Sequence, residues 1–357
     1  MASSNPSAPS VDQVRQALST VMDPDLHRDI VSLGFVSDIS VDGSRVHFKL
    51  TLTTPACPVR DKLESESRQA VSRLPGVTEV DMETTAVVAP QRKVQSRKPL
   101  EGVKHVIAVT SGKGGVGKST VAVNLAVALA KLGARVGLLD SDITGPNVPM
   151  MMGVEDYQPV GQDNKIIPPE NYGVKCMSMS FFVSRDTPVI WRGPMLDKAI
   201  RQFLGDVSWG QLDYLIVDMP PGTGDAQLSL IQATQLSGGI IVTTPQDVAL
   251  LDGRKGLAMF KQMEVPVLGF IENMSYFVCP HCHERSEIFS HGGGRNLADE
   301  AAVPFLGEIP LDISVREGGD AGKPIVASDP DHPVSRAFLE CAKNVAAQIS
   351  IHALAAV

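Results

Sequence analysis

Lys118-Ser119-Thr120 closes a loop that carries glycines at 112, 114, 115 and 117 and a second lysine, Lys113. The spacing Gly112-x-x-x-x-Gly117-Lys118-Ser119 suits backbone N–H groups that turn inward around phosphate oxygens. Residues 106–109 before it read as a strand. Residues 120–132 after it read as a helix, stopped by Gly133 at C′. In that setting Gly112, Lys113, Gly114, Gly115, Val116 and Gly117 wrap a triphosphate at a positive helix end, which Thr120 helps to close. Lys118 reaches the β- and γ-phosphates, and Ser119 binds Mg²⁺. The same glycines also spell Gly112-x-Gly114-x-x-Gly117, a dinucleotide fingerprint, with Asp140 ending the next strand. That rival, an NAD-linked oxidoreductase, gives Lys118-Ser119-Thr120 no purpose, so the phosphate-loop reading is preferred.

Three carboxylates fit the same chemistry. Asp218 ends the apolar run 214–217, where it can hold Mg²⁺ through water. Pro220-Pro221-Gly222-Thr223-Gly224-Asp225 follows, a loop placed to sense the γ-phosphate. Asp140 and Asp142 stand two apart at the end of residues 136–139. Asp140 is assigned to the Mg²⁺ shell and Asp142 to the attacking water, against the plain alternative of a polar loop. Lys113 adds charge where the γ-phosphate sits. It can stabilise the transition state within one chain or across a dimer, or be simple solvated charge. The expected catalytic set is Lys113, Lys118 and Asp142.

Cys279-Pro280-His281-Cys282-His283 is the second constellation. It fits a redox dithiol, a zinc site completed by His281 and His283, or half of an iron–sulfur site. Two such pairs around a C₂ axis would supply four sulfurs. Cys57 precedes Pro58 at the expected start of a helix, where a lowered thiol pKa would make it a candidate reactive or metal-binding thiol. The alternative is a buried small residue. Cys176 and Cys341 lie in apolar surroundings and read as core.

The elements that must position these groups fall into two patterns. After a disordered tail at 1–9, Ser10 and Gln13 form a capping box that opens a helix. Strands at 36–41 and 46–53 flank Asp42-Gly43. A helix over 58–74 and a strand over 77–82 complete a small α+β domain at 10–85. Residues 86–102 read as an exposed linker, with Arg92, Lys93, Arg97 and Lys98. From 103 to 357, short apolar strands at 106–109, 136–139, 214–217, 240–243, 267–271 and 305–309 alternate with helical stretches. That pattern predicts a P-loop NTPase fold of the α/β class, a doubly wound, mostly parallel sheet.

The 357 residues are 43% hydrophobic and 20% charged, with a net charge of −8, which argues against a nucleic-acid partner. No run is long and apolar enough to span a membrane. The N-terminus has neither the basic nor the apolar region of a secretory signal, so a cytoplasmic setting is expected.

Gly112–Thr120, Asp140-Ser141-Asp142-Ile143-Thr144-Gly145-Pro146, Asp218–Asp225, Thr244-Pro245-Gln246-Asp247-Val248-Ala249-Leu250, Glu272-Asn273-Met274-Ser275 and Cys279-x-x-Cys282 stand in order. Together they resemble the Mrp/ApbC family of iron–sulfur cluster carrier ATPases, whose loop carries a signature second lysine. The resemblance covers residues 103 to the C-terminus. The first ~85 residues resemble the SufT/PaaD-like iron–sulfur assembly domain, and Cys57 matches its cysteine. The resemblance implies a homodimer that binds ATP and Mg²⁺. It implies a [4Fe-4S] cluster bridged by Cys279 and Cys282 of both subunits, taken from scaffold proteins and delivered to apo-proteins. It also implies that Asn273, Pro245 and Gln246 lie near the adenine. His283 and Ser290 stand where the family favours glycine, which keeps a zinc-binding descendant in play. No transit peptide precedes the first domain, so organellar relatives fit less well. A positioning or partition ATPase acting on DNA or a membrane is the runner-up. It would need a basic last helix, and residues 333–351 offer Arg336 and Lys343.

Overall fold

A computed structural model describes residues 8–91, 99–142, 145–182 and 193–354. The tail at 1–7, the linker cations Arg92, Lys93, Arg97 and Lys98, and Ile143-Thr144 lie outside the described residues. The described chain divides into two units, 8–89 with 346–354, and 90–345.

In the smaller unit the Ser10 hydroxyl accepts from the Gln13 amide at 3.2 Å. The Gln13 side chain accepts from the Ser10 amide at 2.7 Å. This reciprocal cap opens α1, Val11–Leu18. Strand β1, Val36–Asp42, runs antiparallel to β2, Arg45–Leu52, which pairs in parallel with β3, Glu79–Ala86. On β2, Val46, Phe48, Leu50 and Leu52 are all buried while His47, Lys49 and Thr51 are half-buried. Each such burial contributes roughly 1.5–3 kcal/mol before entropy is counted. Helix α2, Arg60–Ser72, covers that face with Leu63 and Val71. Leu354, near the end of the last helix Pro333–Leu354, packs on the same core. The third strand begins later than its apolar pattern suggests. Gly76 turns at φ 86°, and the amides of Val77 and Thr78 still bond to Leu74 and Ser44.

The larger unit is built on a nine-stranded sheet. Its main strands are β4 (Val103–Thr110), β5 (Val136–Asp140), β6 (Val174–Ser178), β7 (Leu212–Asp218), β8 (Gly238–Thr243), β9 (Val267–Val278) and β10 (Phe305–Leu311). They lie in the order β6-β5-β7-β4-β8-β9, with β10 on β9 and all neighbours parallel. Two-residue strands, Glu170–Asn171 and Arg285–Ser286, add antiparallel edges. β7 and β8 are buried at every position, as strands covered on both faces must be. The expected doubly wound P-loop fold is therefore present. Helix α3, Lys118–Lys131, is buried almost all round, so it runs through the core. Helices α4 (Asp247–Gln262) and α5 (Gly293–Ala301) follow β8 and β9. From β4 the chain passes to β5 and β7 on one side and then to β8 on the other. Such a switch point leaves a crevice at the carboxyl ends of the strands.

Candidate nucleotide and thiol site

Register brings the acids together. Asp218 pairs with Val109 of β4 on one side and with Asp140 of β5 on the other, and Ser178 pairs with Asp140. One row of polar ends therefore faces the loop between β4 and α3. That loop needs its glycines where the chain turns left-handed, at Gly115 (φ 83°) and Gly117 (φ 78°). At Gly117 a β-carbon would also collide with the Asn273 side-chain amide.

Lys118 Nζ lies 2.6 Å from Asp218 Oδ1, and Ser119 Oγ donates to Asp218 Oδ2 at 2.6 Å. Asp140 accepts from Ser178 Oγ at 3.1 Å and from the amides of Asp142 at 3.1 Å and Val148 at 3.2 Å. Asp140 and Asp218 are both fully buried. Burial, then the charge of Asp218, pushes the Asp140 carboxyl up to about 8. Burial raises Asp218 too, and the Lys118 ammonium opposes it. Two buried carboxyls and the Ser119 hydroxyl gather hard oxygen donors beside one ammonium, and burial holds the carboxyls back from ionising without a second cation. A donor set of that kind fits a divalent ion such as Mg²⁺.

Ser111, Lys113, Gly114, Gly115, Gly117, Lys118, Ser119, Thr120, Asp142 and Pro221 line a cleft of about 270 Å³ with Asn147, Met150 and Met151. The Pro220–Asp225 loop is tied to it, since the Gly222 amide donates to Ser111 O at 2.9 Å. Lys113 is exposed on the rim, and Asp142 is half-buried. A second cleft of about 240 Å³ shares Thr120 and Met151 with the first. Asn273, Met274, Pro310, Leu311, Asp312, Val315 and Arg316 line it, apolar surface with a few polar groups of a kind that suits a nucleobase. Asn273 also holds the loop itself, donating to Val116 O at 2.8 Å. Pro245 lines a different cleft, beside Leu250, Arg254 and His291, and Gln246 lies exposed at the start of α4. Pro310, Leu311 and Asp312 escaped the sequence reading. Their signal was the position of this segment at the carboxyl end of the strand expected at 305–309, level with the P-loop in a parallel sheet.

β9 runs on past Asn273 to Val278, and Arg285–Ser286 pairs back on its end. Cys279 and Cys282 sit at the tip of this hairpin, closed by Cys279 N–Glu284 O at 3.0 Å and His283 N–Cys279 O at 2.9 Å. Cys282 is exposed and Cys279 half-buried. The backbone amides of Cys282 and then His281 point at the Cys279 sulfur, and with the Cys282 thiol they lower its pKa. Amides aimed at a sulfur favour its thiolate form, the form that acts as nucleophile or ligand.

Cys57 meets a different environment from the one its position suggests. Helix α2 begins at Arg60 with Val59 as N-cap, so Cys57 lies outside the first turn. Burial pushes its thiol up to about 11, only partly opposed by the Val59 amide, with Asp23 and Asp25 adding to the rise. The lowered pKa expected of a helix N-terminus is therefore corrected. Cys176 and Cys341 are buried core residues.

The profile of the NUBPL iron-transfer P-loop NTPase family matches residues 102–346, and that of the iron–sulfur cluster assembly protein family matches residues 11–82. An iron–sulfur cluster carrier protein of Synechocystis is 51% identical over 97% of this chain and 99% of its own. One from Deinococcus radiodurans is 49% identical over 96% and 97%. Among solved structures, a nucleotide-binding protein of Archaeoglobus fulgidus in complex with ADP is 39% identical, with a TM-score of 0.59. The match covers 67% of this chain and 93% of that one.

Proposed function

Because the chain belongs to the NUBPL iron-transfer P-loop NTPase family, we propose that it is an ATP-dependent iron–sulfur cluster carrier. Two copies pool Cys279 and Cys282 into four thiolates around a [4Fe-4S] cluster. The cluster is cargo, received from scaffold proteins and passed to apo-proteins in the cytoplasm. The observation that carries this reading is the path of β9. One strand holds the phosphate loop through Asn273 and, a few residues on, presents two sulfurs at an exposed tip.

The residues divide the nucleotide chemistry between them. The loop amides and Lys118 bind the triphosphate, and Lys118 leaves Asp218 for the phosphate oxygens as they arrive. Mg²⁺, which Ser119, Asp218 and Asp140 would hold, would supply charge neutralisation at the phosphates. Asp142 orients a water for in-line attack on the γ-phosphorus, as the bond to the bridging oxygen breaks. Lys113, exposed on the rim, offsets transition-state charge at its own site or at the partner copy's. The base lies in the cleft beside Asn273.

Anaerobic reconstitution with iron and sulfide tests the cargo. Wild type should gain visible charge-transfer absorption with iron and sulfide in equal amounts, and Cys279→Ser should lose it. Uptake of zinc alone would sink the carrier reading and leave a zinc-binding ATPase. Calorimetry tests the nucleotide site. Lys118→Ala should weaken Mg-ATP binding at least about a hundredfold, the loss of a charge-assisted contact of roughly 3 kcal/mol.

A further inference from the structure

The segment between the nucleotide loop and the thiols is irregular. Along β9 and β10, Asn273 pairs with Ile309 and Phe277 with Leu311, so β9 spends two more residues than β10 over the same span. Met274-Ser275-Tyr276 is thus a bulge. Met274 takes φ 55°, a left-handed conformation that non-glycine residues seldom adopt. The bulge is anchored at its nucleotide end and at its centre. On the nucleotide side, Asn273 bonds to Val116 O, and the Met274 methyl lies 3.4 Å from where a β-carbon at Gly117 would stand. On the frame side, the fully buried Ser275 hydroxyl donates to Glu272 Oε1 at 2.6 Å and lies 3.5 Å from Glu308 Oε2. Glu272 in turn caps α5, accepting from the Gly292 amide at 3.0 Å and from the Gly294 amide.

A movement of Val116 around a phosphate pulls on Asn273, whose amide is bonded to the Val116 carbonyl, and so enters the bulge. A bulge with no fixed point would dissipate that movement. Ser275, at its centre, is pinned to Glu272 and serves as a pivot, so a displacement at Asn273 and Met274 is passed on through Tyr276–Val278 to Cys279. A serine that merely orients a helix-capping acid would explain the same bonds, but it would have no bearing on whether nucleotide is felt at the thiols.

We propose that Ser275 is a positioning residue that transmits nucleotide binding from the P-loop, through the Met274–Tyr276 bulge, to the Cys279–Cys282 hairpin. The inference names the regulation of the site proposed above and rests on that reading for its purpose. Its test does not need the cargo. Alkylation of Cys279 and Cys282 is timed in the apo-protein with and without Mg-ATP. In wild type, nucleotide should change the rate at least about fivefold, the lower bound of ordinary coupling between sites. In Ser275→Ala the ratio should fall to near one, with Mg-ATP affinity retained, and Ser275→Thr should restore it because the hydroxyl returns. Glu308→Ala, at a half-buried position, removes the second acceptor facing the Ser275 hydroxyl and gives a milder loss should Ser275→Ala fold poorly; a full response there also counts against the proposal. A wild-type ratio near one, or a full response in Ser275→Ala, overturns the proposal. Iron and sulfide counts on the reconstituted protein judge the carrier reading separately, so either can fail alone.

Discussion

Cys57 and Cys279 are the same residue type set in opposite surroundings. Both follow a strand and precede a turn of backbone, and both look in sequence like sulfurs at the mouth of an element. Cys57 is half-buried against the core of the smaller unit, where dehydration, with Asp23 and Asp25 nearby, pushes its thiol up to about 11. Cys279 stands at a hairpin tip with the amides of Cys282 and His281 aimed at its sulfur, which lowers its pKa. The difference shows that proximity to a helix start does not make a thiolate. The donors aimed at the sulfur must outweigh its dehydration and any negative charge beside it.

The largest consequence is kinetic. With a pKa of about 11, roughly one Cys57 thiol in ten thousand is ionised at pH 7. Native protein treated with iodoacetamide at pH 7 and mapped by mass spectrometry should therefore label Cys279 and Cys282 at least about a hundredfold faster than Cys57. The Cys57 rate should climb about tenfold per pH unit through pH 10. Equal labelling of Cys57 and Cys279 in folded protein would erase the contrast.

This contrast also marks how far the sequence could be read. The glycines, Lys118 and Asp218 were legible because their chemistry is local. A loop that must approach phosphate, and an acid at a strand end, are written in adjacent letters. The parallel sheet followed from strands apolar on both faces. What stayed hidden depends on register and packing. Ser178 joins Asp140 only because β6 lies beside β5. Pro310, Leu311 and Asp312 reach Asn273 only because β10 lies beside β9. The bulge at Met274 is invisible without its partner strand. The lowered pKa expected of Cys57 fails chiefly because packing dehydrates the sulfur, and also because helix α2 starts at Arg60 and not at Pro58, which moves it off the helix end.

A smaller effect concerns stability at high pH. Folded Cys57 keeps its proton to about pH 11, while a thiol in the unfolded chain loses it near about 8.5. Between those values the unfolded state binds fewer protons, so stability falls as pH rises. Cys341, pushed up to about 12 by burial, acts with the same sign in the larger unit. Urea midpoints at pH 8 and pH 10.5 should drop in wild type, and drop less in Cys57→Ser, which has no thiol to ionise there. An equal drop in both proteins would show that Cys57 is better solvated than its packing implies.

The smallest effect separates the causes acting on Cys57. Burial leads, and Asp23 and Asp25 follow. Asp23 Oδ1 accepts from the amides of Asp25 at 2.9 Å and Leu26 at 3.0 Å, so Asp23→Asn keeps the acceptor and the turn while removing the charge. Asp25→Asn removes the second charge. If burial dominates, the paired substitution should speed Cys57 labelling at pH 8 by less than about tenfold, one pKa unit. Cys279, tuned by its own amides, should not respond. A much larger gain at Cys57 would make charge, and not dehydration, the reason that this sulfur stays protonated.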